Sequence, residues 1–436
     1  MELYNRFISE ARRGPSCILP FNQLVIDANG DCFPCQALRG KPEFNMGNIF
    51  KDRFNDIWNG DIIKSFRKKM INGERSLRCD FYCHKDYEVS CKSLNPISFF
   101  PKFINNINKI KGDGTVDFEP SIYFLKTSNI CNLSCHYCKE DSSTTWSLTN
   151  NKLFGKNFNT NRKDAINKNL IKTIITHSND LECLYFSGGE PSLVPSYNLM
   201  LKELLNKKGK HIKVASASNV SLLTDNSKEF FTLLGEFSDS MLFCSIDAID
   251  ETNNFIRMNS KFDETEKTVS FIKNELKNIK VYVNSVISIF NALSIFDFHK
   301  SWYSKGLLEI DDFRYVLCQS PKIFNILYLS DRYREKIIDY FNQYINWLKE
   351  NEKHNDDYPN NGIRNYDYLK RYVVDLLSDD YPETDDFLNI RFKQQEYFNT
   401  INRSDKYKLP LSLEDLYSEV NNKIIKYNKK LLYVKS

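Results

Sequence analysis

Between Ser121 and about Gln319 six short apolar runs recur: "SIYFLKT", "LECLYFS", "IKVASAS", "SMLFCSID", "KVYVNSVISI" and "DFRYVLC". Each is separated from the next by a segment able to supply a helix. Strands alternating with helices predict a parallel sheet, and a (β/α) barrel, partly or fully closed, is a standard way to bury it. The expected fold is therefore α/β, a partial (β/α)6 TIM-type barrel. In such barrels the reactive residues lie just past the carboxyl ends of the strands.

At 436 residues the chain is long enough for two or three separate cores. Residues 14–95 are rich in Gly, Pro and Cys, and "QLVIDANGD" reads as a strand entering an Asn-Gly turn, so a small cysteine-rich β-hairpin/helix domain is expected there. Within it "DIWNGDIIKSFRKKMINGE" has helical spacing, with Ile57, Ile62, Phe66 and Met70 as the expected buried stripe. Residues 96–120, ending near "KGDG", read as a linker, 121–320 as the barrel, and 321–436 as a helical region packed by its Tyr and Phe side chains.

Lys and Arg number 60 against 56 Asp and Glu, a near balance that gives no argument for nucleic acid or an anionic membrane. The lysine-rich "NNKIIKYNKKLLYVKS" reads as a solvated terminal helix. The opening "MELYNRFISEARRG" has no apolar signal core, and no run approaches the roughly 18 apolar residues of a membrane span, so a cytoplasmic protein is expected. In that setting twelve cysteines read as metal ligands or reactive thiols. Cys17, Cys32, Cys35, Cys79, Cys83 and Cys91 fall in the amino-terminal part, and Cys131, Cys135 and Cys138 lie together in "CNLSCHYC".

That triplet follows the first barrel strand, on the catalytic face. Thiolates favour soft or borderline metals, and the leading choices are zinc and an iron-sulfur cluster. Structural zinc needs a fourth protein ligand, for which His136 inside the motif is poorly suited. A cubane held by three thiolates keeps one iron open for a small molecule.

Cys131, Cys135, Tyr137 and Cys138 resemble the defining pattern of the radical S-adenosylmethionine (radical SAM) superfamily: Cys, three residues, Cys, two residues, Cys, with an aromatic before the last. The resemblance implies that the open iron binds the amino and carboxylate groups of SAM. "YFSGGEP" matches the superfamily's Gly-Gly-Glu stretch, with Gly188 and Gly189 allowing close backbone approach and Glu190 accepting from the SAM ammonium. Where the family places further SAM contacts, this chain has Ser216, Ser218 and Asn219, then Ser245 and Asp247, then Arg257, suited to the SAM carboxylate. The implied reaction is one-electron reduction of the cluster by a flavodoxin or ferredoxin, reductive cleavage of SAM to a 5'-deoxyadenosyl radical, and abstraction of a substrate hydrogen atom.

"CILPFNQLVIDANGDCFPC", "MGNI", "DIWNG" and "LRCDFYC" resemble the auxiliary-cluster fold called SPASM, or Twitch in its one-cluster form. By that resemblance Cys17, Cys35, Cys79 and Cys83 ligate one auxiliary 4Fe-4S cluster, with Cys32 and Cys91 as spare thiols or alternative ligands; a zinc ribbon is the other reading of the same four. Such domains usually follow the barrel, and here the order is reversed. Relatives with auxiliary clusters mostly modify ribosomally made peptides by epimerisation, crosslinking or oxidation. A peptide substrate is expected, with a sugar or other small metabolite, or a non-catalytic metal scaffold, as the alternatives. Cys318, ending the sixth strand, is the candidate hydrogen donor for an epimerisation.

Overall fold

The computed structural model describes residues 17–74, 101–351, 365–378, 385–404, 406, 410 and 413–420. Cys79, Cys83 and Cys91 and the lysine-rich carboxyl end lie outside the described residues.

The six expected strands form in order: β3 (Ile122–Lys126), β4 (Cys183–Phe186), β5 (Lys213–Ser218), β6 (Asp239–Ser245), β7 (Ile279–Ile287) and β8 (Phe313–Leu317). All adjacent pairs among them are parallel, in chain order, as crossover helices require. Side chains alternate between faces. Leu125, Phe186, Val214, Leu242 and Val283 point into the main core under the helices, while Phe124, Tyr185, Ala215, Phe243 and Tyr282 line the opposite face as smaller clusters.

The sheet does not stop at β3. β1 (Gln23–Asp27) pairs parallel to it, from Gln23↔Ile122 to Asp27↔Lys126, and β2 (Cys32–Phe33) closes the edge antiparallel to β1. The amino-terminal hairpin is thus built onto the barrel's own sheet. Its turn is nucleated by Asp27, whose Oδ1 accepts from the backbone N–H groups of Asn29 (2.8 Å) and Asp31 (3.1 Å).

The helical run after the hairpin breaks at Asn59-Gly60 into Phe54–Trp58 and Asp61–Ile71. That restart corrects the expected stripe: Ile62 is 43% exposed and Ile63 takes its place in the core, spaced with Phe66, Arg67 and Met70 on one face. Arg67 is fully buried yet donates to the carbonyls of Pro20 (2.8 Å) and Trp58 (2.9 Å) and lies over the Trp58 ring. The expected linker is packed too. It forms a helix at Pro101–Asn106, buries Phe103 and Ile107, and takes a hydrogen bond from Trp58 Nε1 at the Phe118 carbonyl (2.8 Å).

In the carboxyl-terminal region the amphipathic helix Asp331–Asn351 buries Ile337, Phe341, Tyr344, Ile345 and Leu348. Tyr344 stacks on Phe296 and its hydroxyl meets His299 Nδ1 at 2.6 Å. No helix among the described residues is long and apolar enough to cross a membrane.

Burial pushes His299 down to about 3. Its folded pKa lies below its unfolded value of roughly 6.5, so the unfolded chain takes up the proton first. The contribution is complete above the unfolded pKa and is lost as pH falls towards the folded one, at about 1.4 kcal/mol per pH unit. Denaturant titrations between those limits are expected to show a shallower pH dependence in His299→Gln than in the native chain.

Candidate functional site

The cysteine loop runs from the end of β3 to the helix Thr144–Phe154, and it is fastened on two sides. On one, the backbone N–H groups of Ser134 and His136 donate to the carbonyls of Met258 and Ile256, each at 3.0 Å. On the other, Glu190 N–H donates to the Ile130 carbonyl (2.8 Å). That second seam explains the glycine pair. Gly188 and Gly189 have φ of +84° and +54°, and a Cβ on Gly189 would lie 2.4 Å from the Ile130 oxygen. The space their missing side chains leave is filled by this chain's own loop.

His136 points away from the three thiols into a box of Phe255, Phe290, Phe324 and Tyr397, and its Nδ1 hydrogen-bonds the Tyr397 hydroxyl. Burial pushes its pKa down to about 3, which keeps the ring neutral. Tyr397 comes from the helix Asp385–Asn402, so the carboxyl-terminal region props the loop from beneath.

Each sulfur faces a complementary group. Cys131 Sγ accepts from Leu133 N–H (3.4 Å) and Asn219 Nδ2 (3.7 Å), and Cys135 Sγ lies 3.7 Å from Arg257 Nη1. The Cys138 thiol donates to the Lys139 carbonyl (3.7 Å) and lies within electrostatic reach of the Lys126 ammonium. Burial and then the charge of Cys135 push the Cys138 thiol up to about 12, and burial likewise raises Cys131 and Cys135. A bound metal displaces those protons, because the thiolate is the ligating form. Three thiols on one loop, two of them beside an N–H donor and the third within reach of a lysine's charge, fit an electron-rich cluster. Among the described residues no three His, Cys, Asp or Glu side chains converge on a single-ion site; the corner ligands of a cubane bind different irons and need not converge.

Two groups form from the other expected residues. In the first, the buried Glu190 carboxylate accepts through Oε1 from Ser192 Oγ (2.8 Å) and Ser218 Oγ (2.7 Å), and through Oε2 from Asn219 N–H. It therefore ties the turn after β4 to the end of β5. Burial raises its pKa, opposed by those hydrogen bonds. In the second, Arg257 ion-pairs with Asp247 (Nε to Oδ2, 2.7 Å), and the Tyr137 hydroxyl donates to the same Oδ2. Asp247 Oδ1 accepts from Val286 N–H (2.7 Å). Arg257 is thus committed to Asp247 and reaches towards Cys135.

Ser216 joins neither group. It shares the helix-facing parity of Val214 and its hydroxyl meets the Ala217 carbonyl at 3.2 Å. Ser245 ends β6 half-buried on the opposite face. Cys318 is buried just past β8, where burial and the charge of Asp247 push its thiol up to about 12. Cys17 and Cys35 flank the hairpin, whereas Cys32 is fully buried in the core with its thiol at the Gly30 carbonyl (3.7 Å).

Three contributors were missed from the sequence. Asn132 accepts from Asn219 Nδ2 (3.0 Å) and donates to Ser221 Oγ (2.9 Å). Asn291 donates to the carbonyls of Asp247 (2.7 Å) and Val286 (2.9 Å), and the apolar run "SIFNAL" around it is the signal that a lone buried amide was at work. Lys126 donates to Ser142 Oγ (2.9 Å) on the loop that Arg39 of the hairpin domain also grips through Asp141 (3.1 Å).

A parallel βα sheet with a three-thiol loop after its first barrel strand defines a cluster-bearing enzyme scaffold, and comparison with known proteins agrees. Residues 125–293 match the radical SAM superfamily and residues 17–85 match SPASM, an iron-sulfur cluster-binding domain. The chain thus carries a radical SAM domain behind an amino-terminal SPASM domain, and these domains imply as cofactors a 4Fe-4S cluster that binds SAM, SAM itself and an auxiliary cluster. Over 87 residues it is 32% identical to an S-adenosyl-L-methionine-dependent 2-deoxy-scyllo-inosamine dehydrogenase of Niallia circulans, covering 19% of this chain and 29% of that protein. Similar solved structures include anSMEcpe with AdoMet and the Cp18Cys peptide (15% identity, TM-score 0.39, 53% of this chain and 61% of that one). SuiB of Streptococcus suis bound to its precursor peptide SuiA is another (18% identity, TM-score 0.36, 66% and 61%). The chain spans under a third of the curated relative's length and about three-fifths of these structures.

Glu190→Ala leaves hydroxyls and an N–H in the core without their acceptor. A loss of about 3 kcal/mol in unfolding free energy is expected, together with weaker SAM retention in equilibrium dialysis. Glu190→Asp is expected to restore neither, because the shorter side chain falls short of Ser218 and Asn219.

Proposed function

We propose that Cys131, Cys135 and Cys138 hold the SAM-binding cluster and that the chain removes a hydrogen atom from a peptide substrate. A reduced cluster held by these three thiols would supply the single electron for cleaving the SAM sulfonium to methionine and a 5'-deoxyadenosyl radical. The observation that carries this reading is the double fastening of the thiol loop: the Gly189–Ile130 seam and the Ile256/Met258 carbonyls hold Cys131 against Asn219 and Cys135 against Arg257, with Cys138 on the same loop. Glu190 and Asp247 do the orienting from either side. The barrel's concave face supplies the substrate site, where the half-buried Tyr185 and Met241 leave apolar surface open to an extended chain. A flavodoxin or ferredoxin is the proposed electron donor.

Cys17, Cys35, Cys79 and Cys83 are the proposed auxiliary ligands. Cys318 is the proposed hydrogen donor if the product is an epimer: its raised pKa keeps it a thiol, the form that carries a transferable hydrogen. The likeness to the inosamine dehydrogenase favours a second reading, oxidation of a small alcohol-bearing metabolite.

Anaerobic reconstitution is expected to give about eight irons per chain, falling to about four in a Cys17→Ala/Cys35→Ala double variant. With dithionite, the native protein is expected to convert SAM to 5'-deoxyadenosine, and Cys135→Ala to leave it whole. Zinc in place of iron, or intact SAM with the native protein, overturns the proposal. In an epimerising reaction run in deuterated water, Cys318→Ala is expected to abolish deuterium incorporation while 5'-deoxyadenosine still forms.

A further inference from the structure

On the face of the sheet away from the helices, aromatic rings run from strand to strand. Phe124 on β3 stacks on Tyr185 on β4 (centroids 4.6 Å apart), Tyr185 meets Phe243 on β6 across the small Ala215 of β5 (5.9 Å), and Phe243 stacks on Tyr282 of β7 (5.5 Å). The row ends on β8 at Arg314. Its guanidinium lies 4.3 Å from the Tyr282 ring centroid and 4.9 Å from that of Phe243.

Tyr282 is the side-chain hydrogen-bond partner of Arg314, but no carboxylate of the described residues forms an ion pair with it, and its buried Nε–H has no hydrogen-bond acceptor. Asp312, an acid whose charge reaches it, is engaged elsewhere, by Lys273 (3.7 Å) and by the Glu309 N–H (3.0 Å). Ring faces offset part of the cost of withdrawing a guanidinium from water, and an anion offsets more. The planar fork of Arg is suited to a carboxylate in particular.

The surroundings are those of a ligand site. Asn284 of β7 is the register partner of both Ser245 and Arg314, which places two half-buried polar side chains on the same face beside the guanidinium. Val316, next on that face of β8, is 49% exposed, so the surface is open above Arg314.

We propose that Arg314, flanked by the Tyr282 and Phe243 rings, is a substrate-anchoring site for a carboxylate carried next to an apolar or aromatic group. This deepens the peptide reading given above and rests on it. Arg314 and Cys318 lie four positions apart along the chain, about 13 Å at strand rise, so a carboxylate held here leaves room for roughly four extended residues up to the end of β8. A peptide's terminal carboxylate and an acidic side chain share this chemistry.

The test is equilibrium dialysis with the anaerobically reconstituted full-length protein. Three probes separate the possibilities: N-acetyl-phenylalanine, its primary amide, and an N-acetyl-phenylalanyl-glutamic acid α-amide, whose only carboxylate is on the side chain. At least one acid is expected to bind about tenfold more tightly than the amide, the advantage vanishing in Arg314→Gln and partly surviving in Arg314→Lys. The tighter of the two acids identifies which carboxylate is used. The proposal is overturned if acids and amide bind alike, if neither acid binds, or if Arg314→Gln leaves the acids' affinity unchanged. The comparison within the native protein holds even if the Gln variant does not fold. None of these readouts requires SAM cleavage, so a failure here is distinct from a failure to form 5'-deoxyadenosine.

Discussion

The geometry of this site depends on one close approach, that of the Gly188-Gly189 turn to the Ser128–Ile130 backbone. The other fastenings on that side of the loop follow from it. With Glu190 N–H on the Ile130 carbonyl, the Glu190 side chain is left facing the end of β5, where it gathers Ser218 and Asn219. Asn219 in turn reaches Cys131 and Asn132. A chain of short contacts therefore joins three successive strand ends, and a displacement at the glycine turn propagates directly to a cluster-loop sulfur.

On the far side of the loop the electrostatics follow a different logic. Asp247 and Arg257 are both nearly excluded from water, and each makes the other tolerable. Burial and the charge of Asp247 push opposite ways on Arg257, and the balance keeps the guanidinium charged beside Cys135. Tyr137, the aromatic of the cysteine motif, completes this group by binding the same carboxylate oxygen as Arg257. The motif thus encodes an anchor as well as its three thiols.

Much of this was legible in the sequence because it is periodic or closely spaced. The six barrel strands, the thiol loop and the Gly-Gly-Glu turn each announce themselves within a few residues. What was not legible is what depends on tertiary partners. The commitment of Arg257 to Asp247, the inward parity of Ser216 and the engagement of Glu190 by its own chain are set by which strand end lies beside which. Ile62 and Ile63 differ for a local reason: the break at Asn59-Gly60 restarts the helix and rotates the buried stripe by one residue. The role of Tyr397 had no local signal, since it meets His136 across more than half the chain.

The pairing of β1 with β3 has a mechanical meaning. Five consecutive register pairs weld the amino-terminal iron-sulfur module to the first barrel strand, and Arg39 adds a strut to Asp141. Two modules joined through a backbone ladder share one rigid frame instead of swinging on a tether.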